Sequence, residues 1–66
     1  MARLIDLNEI SDRDFVDKEV VARCLGLSVR TVETLTSKRE LPVYKFGSSV
    51  RYRFGEILEW AEQKRL

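Results

Sequence analysis

Apolar residues recur at helical spacing over residues 18–27, 29–38 and 56–66, and alternate with polar ones over 43–53. The predicted order is helix, helix, hairpin, helix. In "KEVVARCLGL", Val20, Val21, Ala22, Cys24 and Leu25 cover a wide apolar arc, with Glu19 and Arg23 opposite. Asp17 is the expected N-cap, and Gly26 suits the left-handed position just past the helix end. After the short "LGLS" turn, Ser28 caps "VRTVETLTSK". Here Val29, Val32, Leu35 and Thr36 share one face, Arg30, Thr34 and Ser37 the opposite one, and Thr31 and Lys38 flank them. Pro42 cannot continue a helix and biases Leu41 toward extended backbone. In the closing helix, Ile57, Leu58, Trp60 and Ala61 point to one side and Glu56, Glu59, Glu62 and Gln63 to the other. Glu56 near its start and Lys64–Arg65 near its end complement the helix dipole.

The hairpin "VYKFGSSVRYRF" invites a register assignment. With Gly47, Ser48 and Ser49 as a three-residue loop, Phe46 pairs with Val50, Lys45 opposes Arg51 and Tyr44 opposes Tyr52. Tyr44, Phe46, Val50 and Tyr52 then form an inward face continued by Phe54, and Lys45, Arg51 and Arg53 an outward one. An even loop mixes the faces, so the alternation selects an odd one. The pairing sets Lys45 against Arg51, and opposed like charges weaken a hairpin by about 0.2–1 kcal/mol. A polyanion lying on that face explains the arrangement; edge protection is the plainer alternative.

Residues 1–14 are set apart as an N-terminal extension and 15–66 as the domain. Leu4, Ile5, Leu7 and Ile10 fit neither period, so a short helix, a packing arm and a docking segment all stay open. There are no repeats or low-complexity stretches.

Size limits the chemistry. A 66-residue chain is one small domain, and at that size only about 60% of the unfolded surface is buried, too little for a deep cleft. It has one cysteine and no histidine, which removes an internal disulfide and the commonest general base and metal ligand. Cys24 lies in the apolar arc and reads as a core residue. No Gly-rich phosphate loop or Cys/His zinc cluster occurs, and Asp12 and Asp14 in "SDRD" read as a turn or a cap. No nucleophile–base pair presents itself. The expectation is a non-enzymatic protein without cofactor, metal, small-molecule substrate or membrane span, working inside the cell.

Net charge is only +1, but it is unevenly placed. Arg3 and Arg13 stand against five acidic residues in 1–17, whereas Arg30, Lys38, Arg39, Lys45, Arg51 and Arg53 face only Glu33 and Glu40 in 30–53. A central basic block suits an anionic partner. Two short helices around a Gly-containing turn also make a helix-turn-helix pattern, although many helical pairs share it. The second helix exposes Arg, Thr, Ser and Lys, which bond phosphates and base edges.

Taken together, "VARCLGLSVRTV", "LPVYKFGSSVRYRF" and "ILEWAEQ" resemble the excisionase family, the recombination directionality factors of phages and mobile elements. The likeness covers about residues 15–63 and is to their winged variant, related to the DNA-binding domain of the MerR superfamily. It implies a mainly α fold: a winged helix-turn-helix of three helices plus a two-stranded antiparallel wing. It also implies that the second helix enters the major groove of double-stranded DNA through Arg30, Thr31, Thr34, Ser37 and Lys38, with Arg30 on a guanine. Lys45, Ser48, Ser49, Arg51 and Arg53 become wing contacts to the adjacent backbone and minor groove. Family members bind side by side on repeated sites, bend the DNA and steer a partner integrase toward excision in the bacterial cytoplasm. The chain stops soon after the third helix, which favours an excisionase over a ligand-sensing activator. A transcriptional repressor on the same surface, or a protein-interaction module with a basic face, are the alternatives.

Overall fold

The structure, a computed structural model, describes residues 9–66. Elements follow in the order β1 (Phe15–Val16), α1 (Lys18–Leu25), α2 (Val29–Ser37), β2 (Tyr44–Phe46), β3 (Ser49–Arg53) and α3 (Phe54–Glu62). The strands form one antiparallel sheet in the order β1-β3-β2. The fold is a winged helix-turn-helix, mainly α with a small β wing. The wing has one more strand than expected, because Phe15 and Val16 pair with Arg53 and Tyr52. Leu4, Ile5 and Leu7 lie outside the described residues.

Both predicted caps are in place. Asp17 Oδ1 accepts from the Val20 N–H at 3.0 Å, and Ser28 Oγ from the Thr31 N–H at 3.1 Å, satisfying helix-end donors that have no partner within the helix. Gly26 ends α1 in the left-handed conformation. Between the helices and the sheet, Val21, Val32, Tyr52 and Ile57 are sealed from solvent, with Val16, Val20, Ala22, Leu41 and Phe54 around them. Each fully buried Val or Ile contributes about 1.5–3 kcal/mol. Cys24 packs partly buried against this core, and burial raises its thiol pKa above the ordinary range. Trp60 also packs on the core, with the Lys64 ammonium 5.3 Å from its ring centroid. Leu58, assigned to the apolar side of α3 from its spacing, is 38% exposed. The closing helix is covered only on the side that carries Ile57.

The start of α3 has no side-chain cap. Two main-chain carbonyls replace it: Asp14 O accepts from the Phe54 N–H at 2.9 Å and Asp12 O from the Gly55 N–H at 3.0 Å. The "SDRD" segment is the expected turn, closed by Asp14 N–H to Ser11 O and by Ser11 N–H to Asp14 Oδ2, both at 3.0 Å. Gly55 permits this approach, since a Cβ there would lie 2.9 Å from Asp12 O.

The hairpin register differs from the sequence-based one. Tyr44 pairs with Arg51, Lys45 with Val50 and Phe46 with Ser49, so the loop is the two residues Gly47 and Ser48. Gly47 at φ 63° supplies the positive dihedral that a tight hairpin turn needs at its first central position. Paired residues share a face, so Val16, Lys45, Val50 and Tyr52 lie on one side of the sheet. Phe15, Tyr44, Phe46, Ser49, Arg51 and Arg53 lie on the other. Tyr44 and Phe46 therefore do not point inward with Tyr52, and Lys45 neither opposes Arg51 nor shares its face. With Lys45 across from Val50 and Arg51 across from Tyr44, no like charges stand opposed in the hairpin, and its pairing gives no reason for an anion on the wing. The physical reason is β1. Phe15 packs edge-on against Tyr44 and Phe46, with ring centroids at 5.0 and 5.2 Å, giving the outer face an apolar cluster of its own. Alternation between one buried and one wet face does not hold for a sheet with apolar clusters on both.

Candidate nucleic-acid interface

Helix α2 is held from below and free above. Val32 is fully buried, while Arg30, Thr31, Thr34, Ser37 and Lys38 are all exposed. Local bonds fix two of the hydroxyls. Thr31 Oγ1 lies 2.8 Å from Ser28 Oγ, and the Thr34 hydroxyl donates to Arg30 O at 3.0 Å. Thr34 thus keeps oxygen lone pairs for an incoming donor.

One long-range bond sets the wing against this helix. The Thr36 hydroxyl donates to Val32 O at 2.8 Å. Its single proton is then committed, so the Tyr52 hydroxyl is the donor in the 2.6 Å bond to Thr36 Oγ1. A second bond ties the wing to α3, from the Tyr44 hydroxyl to Glu56 Oε2 at 2.7 Å. That bond, with a smaller contribution from desolvation, holds the Tyr44 phenol pKa above its ordinary value.

The wing's candidate contacts are divided. Lys45 lies on the α2 side, Ser48 in the turn, and Ser49, Arg51 and Arg53 on the outer side. Arg51 Nη1 donates to Val50 O at 2.7 Å. The Arg53 guanidinium carbon stands 5.8 Å from the Phe15 ring centroid, a cation–π arrangement that engages it within the sheet. Lys45, Arg51 and Arg53, grouped on one face by the sequence, are not brought together.

Two features escaped the sequence. Arg39 closes α2 at φ 59°, with its N–H bonded to Thr36 O at 3.0 Å and the Glu40 N–H to Leu35 O at 2.9 Å. This is a Schellman closure with arginine where glycine is usual, and the left-handed conformation costs about 1–2 kcal/mol for an L-residue. Arg39, Ser37 and Lys45 line a groove of about 290 Å³ between the end of α2 and the wing. The second feature is a cross-helix ion pair: Lys18 Nζ donates to Glu33 Oε2. This bond holds the Glu33 carboxyl below its usual range and the Lys18 ammonium above its own.

The assembled surface carries cations and fixed hydroxyls along α2, around the groove and onto the wing. Such groups bind phosphates and base edges. No described helix is long and apolar enough to cross a membrane. A family model described as a helix-turn-helix domain matches residues 16–65. No curated protein and no solved structure matches the chain significantly. The matched span runs from the sheet's first strand past the closing helix, and the chain belongs to the helix-turn-helix domain family, a DNA-binding class.

Proposed function

We propose that the protein is an architectural, sequence-specific DNA-binding protein acting as an excisionase. It occupies repeated attachment-site sequences side by side, bends the duplex and directs a partner integrase toward excision. One observation carries the DNA-binding core of this reading: the outward row Arg30, Thr31, Thr34, Ser37 and Lys38 is joined to the wing by the Tyr52–Thr36 bond. A rigid pairing of helix and wing meets a major groove and its neighbouring backbone together. Arg30 is the base contact, bidentate to guanine. Lys45, Ser48, Ser49 and Arg51 supply wing contacts, and Arg53, drawn over Phe15, is left out of the set. Support for excision comes from the resemblance of "LPVYKFGSSVRYRF" and its flanking helices to excisionases, and from a helix-turn-helix family that includes excisionase-like domains.

Binding to duplexes drawn from DNA flanking the gene tests it. Neutralising about five phosphates predicts a log–log salt slope of about −4 to −5. Arg30→Ala should abolish preference among duplexes, and Lys45→Ala with Arg51→Ala should weaken all of them alike. A phasing gel should show a bend, whose deformation energy is offset by the added contacts. Straight DNA removes the architectural role, and a footprint on a promoter with no attachment site favours a repressor.

A further inference from the structure

Glu33 is the one acidic residue within α2. It lies three residues beyond Arg30 and four before Ser37, so it borders the outward row on the side that faces α1, and it is exposed. A carboxylate there repels phosphate, and folding does not require it. Lys18 and Glu33 side chains remain 43% and 50% exposed, and exposed ion pairs contribute little to stability. The pair does achieve something else. Lys18 approaches from α1, cancels the carboxylate's charge and holds Oε2, while a carboxylate has further lone pairs to offer. An ionised, oriented, locally neutralised acceptor has little use against phosphate. It does suit a donor on a base edge, and in the major groove the donors are the amino groups of cytosine and adenine.

We infer that Glu33 is a specificity-determining residue that accepts from cytosine N4 in the major groove, with Lys18 as the residue that positions it. The inference rests on the DNA-binding reading of α2. Guanine O6 and thymine O4 would set acceptor against acceptor at the same place, so the residue selects by rejection as well as by attraction.

The experiment is a selection from randomised duplexes with the intact chain, followed by affinities for every single-base variant of the selected site. The wild type should prefer cytosine at one position by about 5- to 150-fold, the range of one good base contact. Glu33→Ala should flatten that position alone. Glu33→Gln should move its preference toward adenine, glutamine's usual partner, and steepen the salt slope by about 0.9 as Lys18 becomes free to meet a phosphate. Lys18→Met should blunt the same cytosine preference while leaving the other positions in place, which loss of a merely structural contact would not do. Circular dichroism confirms that each variant is folded. A base profile unchanged in Glu33→Ala overturns the inference and leaves DNA binding standing. A wild type that selects no sequence and binds no duplex at low salt overturns both.

Discussion

The bond between Tyr52 and Thr36 yields an asymmetric expectation. The Tyr52 ring is 1% exposed and its hydroxyl donates to Thr36 Oγ1, whose own proton goes to Val32 O. In Tyr52→Phe the donor disappears and the Thr36 hydroxyl keeps its bond to Val32 O, so the cost should be that of one net hydrogen bond, about 0.5–1.5 kcal/mol. In Thr36→Val the acceptor disappears and a buried phenol is left with nothing to donate to, which costs about 1–3 kcal/mol. The double variant has no stranded group, so it should be more stable than Thr36→Val alone despite one further substitution. Urea unfolding followed by Trp60 fluorescence measures all four proteins. Thermal midpoints should move by about 4–8 °C per kcal/mol in a domain this small. A double-mutant cycle with additive costs, or Thr36→Val no worse than Tyr52→Phe, would refute the assigned proton direction.

Gly55→Ala should destabilise by about 1–3 kcal/mol, since its Cβ would meet Asp12 O at 2.9 Å and main chain has little room to yield; urea midpoints check this. Arg39→Gly should raise the melting temperature, by the equivalent of about 0.5–1 kcal/mol, as relief of the left-handed strain exceeds glycine's added chain entropy. The same variant should bind DNA more weakly, because the groove loses a cation. The Lys18–Glu33 pair should make a small, pH-bounded contribution. Glu33's lowered pKa means that contribution is present at neutral pH and is lost on acidification through a pKa below the ordinary carboxylate range. Lys18's raised pKa means it is lost again only above the ordinary lysine range. Melting curves of wild type and Lys18→Met should differ slightly at neutral pH and converge in acid. Cys24, with its thiol pKa raised by burial, should react with iodoacetamide more slowly than a free thiol in the folded protein and at the free rate in urea.

The helices were legible because their signals are local. Asp17, Ser28 and Gly26 act within a few residues of themselves, and the apolar arcs of α1 and α2 coincide with what is buried. The wing was legible as a hairpin but not in its register. Alternation assigns faces only if one face is dry, and Phe15, arriving from outside the hairpin, covers part of the second. No positional signal in 43–54 reports a strand supplied by residues 15–16. The exposed row of α2 could be read from periodicity, whereas Lys18–Glu33 and Tyr52–Thr36 span 15 and 16 residues and depend on tertiary contact. Arg39 was missed because the residue that usually announces such a helix end is glycine, and the chain puts arginine there.

The carbonyls of Asp12 and Asp14 that receive the first amides of α3 have an evolutionary corollary. Every amino acid carries a carbonyl, so for these two bonds selection acts on the number of residues between the turn and the strand; the identity of Asp12 hardly enters, whereas Asp14 is also held by its side-chain bond to the Ser11 N–H. Asp12→Ala should be silent by this bond, whereas deleting one residue between Ser11 and Phe15 should misplace both carbonyls and fray the closing helix. Divergent homologues would then keep the spacing while losing the letter at position 12 more readily than the one at position 14. Alignments scored on residue identity would place the domain's edge at the strand, and fragments cut there would lack two of the bonds that begin α3.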